Sequence, residues 1–515
     1  MLADVQRVAV LLLGALLTGW TAVAAPLVER RADEAGLVDT VARPGPVAYK
    51  VVEGSYLVDD CRCGRPAIMI PVQGSFHLAP DMADPLFEHF RVSDLRLGGN
   101  ATGVSVQVTG SGRYRRGGEV AVVEEMTLAV TVGDRTGITL ASGLVAPGTA
   151  APWLEIDLVE TPVDRVQFYA LHLVATPWPE IWLSTARPFT PMASPGVPVT
   201  PGDLITNHGR IVRRNADVVG RLGVMPVVPD LGLDAVATAP PSTALDAAQA
   251  DVWFSIPAPV FSETLGTLGA GDVLSERGGV VRRHEELLKR FWVMPPAPDL
   301  GVDALVVAED GSLQFSTDAS FFSECLGRQV SHGDLLAEDG TVVRRGVDLL
   351  AKFRLQASIS EEVGLDAVHV WPHGEVWFSV TTPFLDEDFG LVGDGDLLSD
   401  TGHVVARSFE LVSRFAPLEF SAGFGLDALH VPPQAERMST CGVLVQGVEC
   451  VLFRADDGSL WVLRTTGGFQ PGDRVRVDGE VKADCASFCM QGEGCVDNAT
   501  IEACPGRVRG RLRQR

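Results

Sequence analysis

A unit repeated four times constrains this chain more than any other feature. The pattern Gly-Asp-apolar-apolar-x-x-x-Gly-x-Val-Val-x-Arg, with Ile for the first Val in one copy, starts at Gly202, Gly271, Gly333 and Gly395. Its aspartates, Asp203, Asp272, Asp334 and Asp396, are 69, 62 and 62 residues apart. Each is followed after 31 or 32 residues by a second aspartate, Asp234, Asp303, Asp366 or Asp427, inside Gly-apolar-Asp-Ala. Four sets of anchors kept in register define a repeat array.

The local pattern of one unit reads as strands. Leu335-Leu336 and Val342-Val343 are short apolar runs joined by a loop that ends in Gly340. A glycine there supplies the positive φ of a bulged hairpin turn. Leu349-Leu350 with Phe353 has the i, i+1, i+4 spacing of one or two helical turns laid on a sheet, and Leu287-Leu288 with Phe291 and Leu411-Val412 with Phe415 match it. Each copy carries a Trp/Phe-rich strand: Ile181-Trp182-Leu183-Ser184, Val252-Trp253-Phe254-Ser255, Leu313-Gln314-Phe315-Ser316 and Val376-Trp377-Phe378-Ser379. The cluster Pro188, Pro191, Pro195, Pro198 and Pro201 occupies the slot of 257–270 in the next copy, so it is a repeat loop and no interdomain linker. Four strands per unit predict a propeller-like array over 181–431, with a row of stacked β-units as the alternative.

The flanks are β-rich too. Over 47–176, alternating segments such as 90–97, 104–110, 119–132 and 153–159, bounded by Gly, Pro and Asp, predict a β-sandwich or barrel. Over 439–504 the segments 443–454, 460–464 and 472–481 predict a small barrel. Gly472-Asp473-Arg474-Val475-Arg476-Val477-Asp478-Gly479 resembles the strand-turn-strand segment of OB-fold modules, which implies an OB-like barrel. OB-folds often bind oligonucleotides or oligosaccharides. Here 439–506 holds ten acidic and five basic side chains, so the nucleic-acid implication is not carried over. The repeats followed by a Cys-rich end also resemble uncharacterised secreted bacterial repeat proteins, which implies a location and no mechanism. The expected fold class is mainly β throughout.

Several features point to export. Arg7, the apolar run 8–17 and Ala22-Val23-Ala24 predict a signal peptide over 1–25, followed by a linker over 26–46. No later stretch is apolar enough to span a bilayer, so no stable membrane span is expected after cleavage. Nine cysteines fit a disulfide framework in an oxidising compartment: Cys61 and Cys63 near the front, and Cys441, Cys450, Cys485, Cys489, Cys495 and Cys504 at the end. Six cysteines allow 15 pairings, which stay open. Cys61 and Cys63, one residue apart, bridge each other only with strain, so pairing elsewhere stays open as well. Cys325 is the leftover thiol and reads as a small buried hydrophobe. The expected location is secreted, extracellular, periplasmic or cell-surface.

A formal net charge of −24 repels a phosphate backbone, so nucleic acid is not an expected partner. The Arg-rich stretch 505–515 reads as a basic tail. The recurring charges, namely the eight aspartates, Arg214, Arg283, Arg345 and Arg407, and the basic Arg221, Arg290, Lys352 and Arg414, read as structural, each Asp accepting backbone N–H bonds or pairing with Arg. Cys485-x3-Cys489 and Cys441-x8-Cys450 do not make two clean zinc knuckles; the ion reading kept is Ca²⁺ on a ring of carboxylates, with Asp394 and Asp396 of Gly393-Asp394-Gly395-Asp396 as metal candidates, and no other cofactor is expected. His172, His369 and His430 each follow Ala-apolar in a strand and would form a site only if those strands converged. No nucleophile elbow, zinc-protease motif, phosphate loop or dinucleotide fingerprint is present. Catalysis is therefore not expected, and the sequence points to a binding or scaffolding protein with a glycan or protein partner. The alternatives are a polysaccharide hydrolase working through paired carboxylates and an architectural envelope protein.

Overall fold

The computed structural model describes residues 45–504 except 102, 162–165, 225–229, 241–250, 297–298, 309, 356–362, 420–422, 433–436, 448–449, 457 and 483–493. The expected signal peptide, nearly all of the linker, the basic tail, Cys485 and Cys489 lie outside the described residues. The described chain is mainly β, and its only helices are short ones. Among the described residues no helix is long and apolar enough to cross a membrane.

The first sheet has nine strands: β1 (Val47–Val51), β2 (Tyr56–Cys61), β3 (Ile68–Ala83), β4 (Phe87–Ala101), β5 (Val104–Gly117), β6 (Val123–Val132), β7 (Arg135–Ala141), β8 (Leu154–Glu160) and β9 (Gln167–Pro177). Their order is β1-β3-β2-β9-β8-β7-β6-β5-β4, and β3 also pairs with β4, so the pairings return on themselves. Alternation is the cause: β6 and β8 bury every second side chain, and Phe76, Met126, Leu128, Leu140 and Leu158 fill one core.

Four four-stranded antiparallel sheets follow. The second consists of Ala235–Thr238, Val252–Ser255, Val273–Ser275 and Gly279–Arg282, in that order. The third and fourth repeat it with Leu305–Val307, Leu313–Phe315, Leu335–Ala337 and Val342–Arg344, then Leu365–Val370, Val376–Val380, Leu397–Ser399 and His403–Ala406. The first is completed from the far end of the array. Ala428–His430 pairs with Trp182–Ser184, which leads to Leu204–Thr206 and Ile211–Arg213. The innermost strands of the four sheets neighbour one another in cyclic order.

Apolar wedges fill the space between successive sheets. Val236, Phe254 and Leu274 pack with Leu204 and Ala428 between the second and first sheets, and Trp377 and Leu397 pack with Leu183 and Leu429 between the fourth and first. Phe254, Phe315 and Phe378 are almost wholly buried, and each such side chain contributes about 1.5–3 kcal/mol. The helical turns expected after each hairpin are present as α1 (Asn215–Val219), α2 (His284–Leu288), α3 (Gly346–Leu349) and α4 (Ser408–Val412). The repeat loops form small hairpins, as in Val260–Ser262 with Gly266–Leu268. In the proline-rich copy the corresponding hairpin is reduced to the isolated Phe189–Val199 bridge, beside a bridge of Pro191 to Pro417, because proline has no N–H to donate to a ladder.

The nine-stranded sheet is fastened to the fourth sheet by buried polar groups. Glu375 Oε1 accepts from Trp153 Nε1 (2.8 Å), Trp377 Nε1 (2.7 Å) and Ser399 Oγ (2.6 Å). Lys50 pairs with Glu410 at 2.8 Å, and Arg407 with Glu53 at 2.5 Å.

The C-terminal strands form a closed barrel in the order Arg437–Gln446, Val451–Ala455, Leu460–Leu463, Gly494–Ala503, Arg474–Lys482. The pairing of Leu460–Leu463 with Gly494–Ala503 is parallel and the others are antiparallel. Phe453, Trp461, Val475, Val477 and Val496 make its core.

Candidate functional site

The eight recurring aspartates divide into two sets with opposite surroundings. The Gly-Asp set lies on the outer part of each sheet and is saturated with donors. Asp203, Asp272, Asp334 and Asp396 each take the first backbone N–H of the following helix on Oδ1, from Asn215, His284, Gly346 and Ser408 at 2.9–3.0 Å. Each Oδ2 takes the N–H three residues upstream, from Thr200, Gly269, Ser331 or Gly393. Arg214, Arg283 and Arg407 add charged bonds of 2.6–2.7 Å to Asp203, Asp272 and Asp396. In the third copy the guanidinium beside Asp334 belongs to Arg328, at 3.5 Å, in place of Arg345. The 11-residue spacing from Asp to Arg is thus the length of a hairpin that returns to cap its own helix.

Two further belts close the ring. Ser184, Ser255, Ser316 and Ser379 each donate a buried hydroxyl to a backbone carbonyl of the next sheet in the cycle: Leu233 (2.9 Å), Val302 (2.7 Å), Leu365 (3.1 Å) and Leu426 (2.9 Å). All four serines are fully buried. The hairpin glycines Gly209, Gly278, Gly340 and Gly402, at φ of +82° to +91°, lie against the side-chain stems of Arg414, Arg221, Arg290 and Lys352 of the preceding copy. A Cβ there would stand 2.7–2.9 Å from the Cβ of that neighbour. The recurring basic residues therefore act first through their aliphatic stems.

The Gly-apolar-Asp set stands where the innermost strands face one another. The carboxyl oxygens of Asp234, Asp303 and Asp318 lie within 4.8 Å of one another. Asp234, Asp303 and Asp366 are buried, and Asp318 reaches in from an exposed rim. Burial, then the charges of Asp318 and Asp427, push the Asp234 carboxyl up to about 8. Burial, and after it the neighbouring aspartates, hold Asp303 and Asp366 well above the usual carboxylate range. Asp427 is raised to about 6 by burial and Asp394, opposed by Arg187, and Asp318 to about 6 by burial and Asp299. The Oδ2 of Asp234 is buried and has no hydrogen-bond partner. A pocket of oxygen donors with this excess of negative charge can hold a hard cation or retain protons.

Other expected site residues fall differently. Asp394 and Asp396, the expected metal candidates, are engaged by separate partners. Asp396 is filled by Arg407 and two N–H groups, while Asp394 pairs with Arg187 at 3.1 Å. The guanidinium charges and N–H donors occupy the oxygens that an ion would need. His369 and His430 are on neighbouring innermost strands, and burial lowers them to about 3 and about 4, so both are neutral near pH 7. His430 bonds Thr238 at 3.1 Å. His172 is away from them in β9, paired with Asp157 at 2.8 Å, so no three-histidine site forms.

Cys61 is bonded to Cys63, and Cys441 to Cys504; Cys450 and Cys495 are also in disulfides. Cys325 is exposed, contrary to expectation, because it falls in the turn just beyond the strand Phe321–Ser323. Asp318 escaped sequence reasoning because the other copies place Ala186, Pro257 or Thr381 there, so repeat comparison gives no signal.

Residues 442–504, a range that takes in most of the described barrel strands, match a family described as a protein of unknown function (DUF5818). No curated protein matches the chain.

Proposed function

We propose that the chain is a non-catalytic binding or scaffolding protein of the cell exterior, with a four-bladed propeller at its centre and an OB-like module at its end. The cyclic serine belt, and the pairing of Ala428–His430 with Trp182–Ser184, support the propeller reading. A closed five-stranded barrel with one parallel pair supports the OB-like one. Disulfides suit an oxidising compartment.

The observation that carries the functional reading is the use made of the recurring polar groups. The serines and the outer aspartates are committed to holding the ring, and the inner aspartates are withdrawn from the surface. A partner is then met on the outer surface. A groove between the nine-stranded sheet and the hairpin of Phe384–Asp386 with Gly390–Val392 is lined by Tyr56 and Phe389 beside Gln73, Asn100 and Asp388, a mixture suited to apolar and hydrogen-bonding contact with a glycan.

Hydrolysis through paired carboxylates is the second reading. It draws on Asp234 and Asp318, whose carboxyls titrate at different pH, the pattern of an acid and a base. Burial between the innermost strands opposes access by a polymer.

The test is a glycan array and a pull-down with the full chain, beside a polysaccharide hydrolysis assay. Binding that Tyr56→Ala weakens, without hydrolysis, supports the proposal. Hydrolysis abolished by Asp318→Asn, with no binding partner found, overturns it. Assembly into oligomers with no ligand bound would favour the architectural alternative.

A further inference from the structure

We propose that the ring of four sheets holds a divalent cation, calcium by the chemistry of its ligands, between the carboxylates of Asp234, Asp303 and Asp318.

Geometry is the first support. Three carboxyl oxygens, one from each side chain, lie within 4.8 Å of one another. One ion with calcium–oxygen bonds of about 2.3–2.6 Å can bridge them. The ligands come from three separate places: the start of the second sheet's innermost strand, the same position in the third, and the turn after Leu313–Phe315. An ion there joins the second sheet to the third.

An independent support is the Oδ2 atom of Asp234. It is buried without any hydrogen-bond partner, on a residue only 9% exposed. Leaving a buried acceptor unpaired is costly, and more so for a charged group. The outer aspartates show how this chain satisfies a buried carboxylate when no ion is required, since each takes at least two backbone N–H bonds. Asp234 has been given no such donor for Oδ2, and the charges acting on it, from Asp318 and Asp427, are both negative.

The choice of ion follows from the ligand set. It contains oxygen alone, which selects a hard cation over zinc or copper. Asp366 and Asp427 lie close enough to raise the same cluster further and would strengthen attraction without coordinating. Arg187, the one cation acting on Asp427, is paired with Asp394. The assignment is independent of where the protein works and of what its outer surface binds.

The experiment is calorimetric titration of the metal-stripped full chain with CaCl₂ at pH 8, with thermal melting in parallel. Calcium should bind and raise the melting temperature, because it binds the folded ring and not the open chain. Asp318→Asn, at the exposed rim and outside the apolar wedges, should fold normally and weaken binding at least about tenfold. Asp234→Asn should do the same, and if it fails to fold, Asp318→Asn still decides. No heat and no melting shift with calcium up to about 5 mM would overturn the proposal. So would binding that Asp318→Asn leaves unchanged, since the ion would then sit elsewhere.

Discussion

The hydroxyl of Ser379 donates to the carbonyl of Leu426 at 2.9 Å, and this bond carries the fourth sheet onto the first. Leu426 precedes the strand Ala428–His430, which pairs with Trp182–Ser184 at the opposite end of the array. Ser184, Ser255 and Ser316 make the same bond at the other three junctions. One kind of contact therefore recurs at all four junctions.

Ser255→Ala should destabilise the chain by about 1–3 kcal/mol, because the buried Val302 carbonyl loses its donor. Ser→Ala at an exposed position such as Ser194 should change little. Guanidinium unfolding followed by tryptophan fluorescence measures both.

Gly340→Ala should cost about 1–3 kcal/mol, since it places a side chain at φ +91° and a Cβ 2.7 Å from that of Arg290. Gly327→Ala has positive φ (+64°) but open space around it, so it should cost less. The difference in denaturation midpoint between the two isolates the contact between successive copies.

How much of this was legible follows from what the repeat can transmit. The hairpin over Leu335–Ala337 and Val342–Arg344 and the helical turns after it were readable, because apolar spacing and a turn glycine report local geometry. Closure was not, because the innermost strand of the first sheet lies at the far end of the array. The serines looked like the ends of apolar strands, since a hydroxyl bonding a carbonyl of the next sheet leaves no local pattern. The two aspartate sets looked alike in sequence. Only the fold shows that one meets N–H groups and guanidiniums and the other meets its own kind.

Stability should depend on pH in an unusual direction when metal is removed. Asp234 is raised to about 8, and Asp318 and Asp427 to about 6, so the folded state favours the protonated forms. A carboxyl raised in this way contributes stability that is present below its unfolded value near 4 and lost as pH rises through the folded value. In chelator the melting temperature should therefore fall between pH 4 and pH 8. Asp234→Asn should make that fall shallower but not abolish it, because Asp303 and Asp366 are raised as well. Melting curves of both proteins across this range supply the check.

The central claim, that one aspartate set fastens the ring while the other strains it, is tested most directly by Asp→Asn substitution at pH 8.5 in chelator. Asn imitates a protonated carboxyl, so Asp303→Asn and Asp366→Asn should raise the melting temperature by removing a carboxyl whose charge is disfavoured first by burial and then by the neighbouring aspartates. Asp272→Asn and Asp396→Asn should lower it by removing the charge that holds Arg283 and Arg407. A fall of similar size for all four variants would contradict the account.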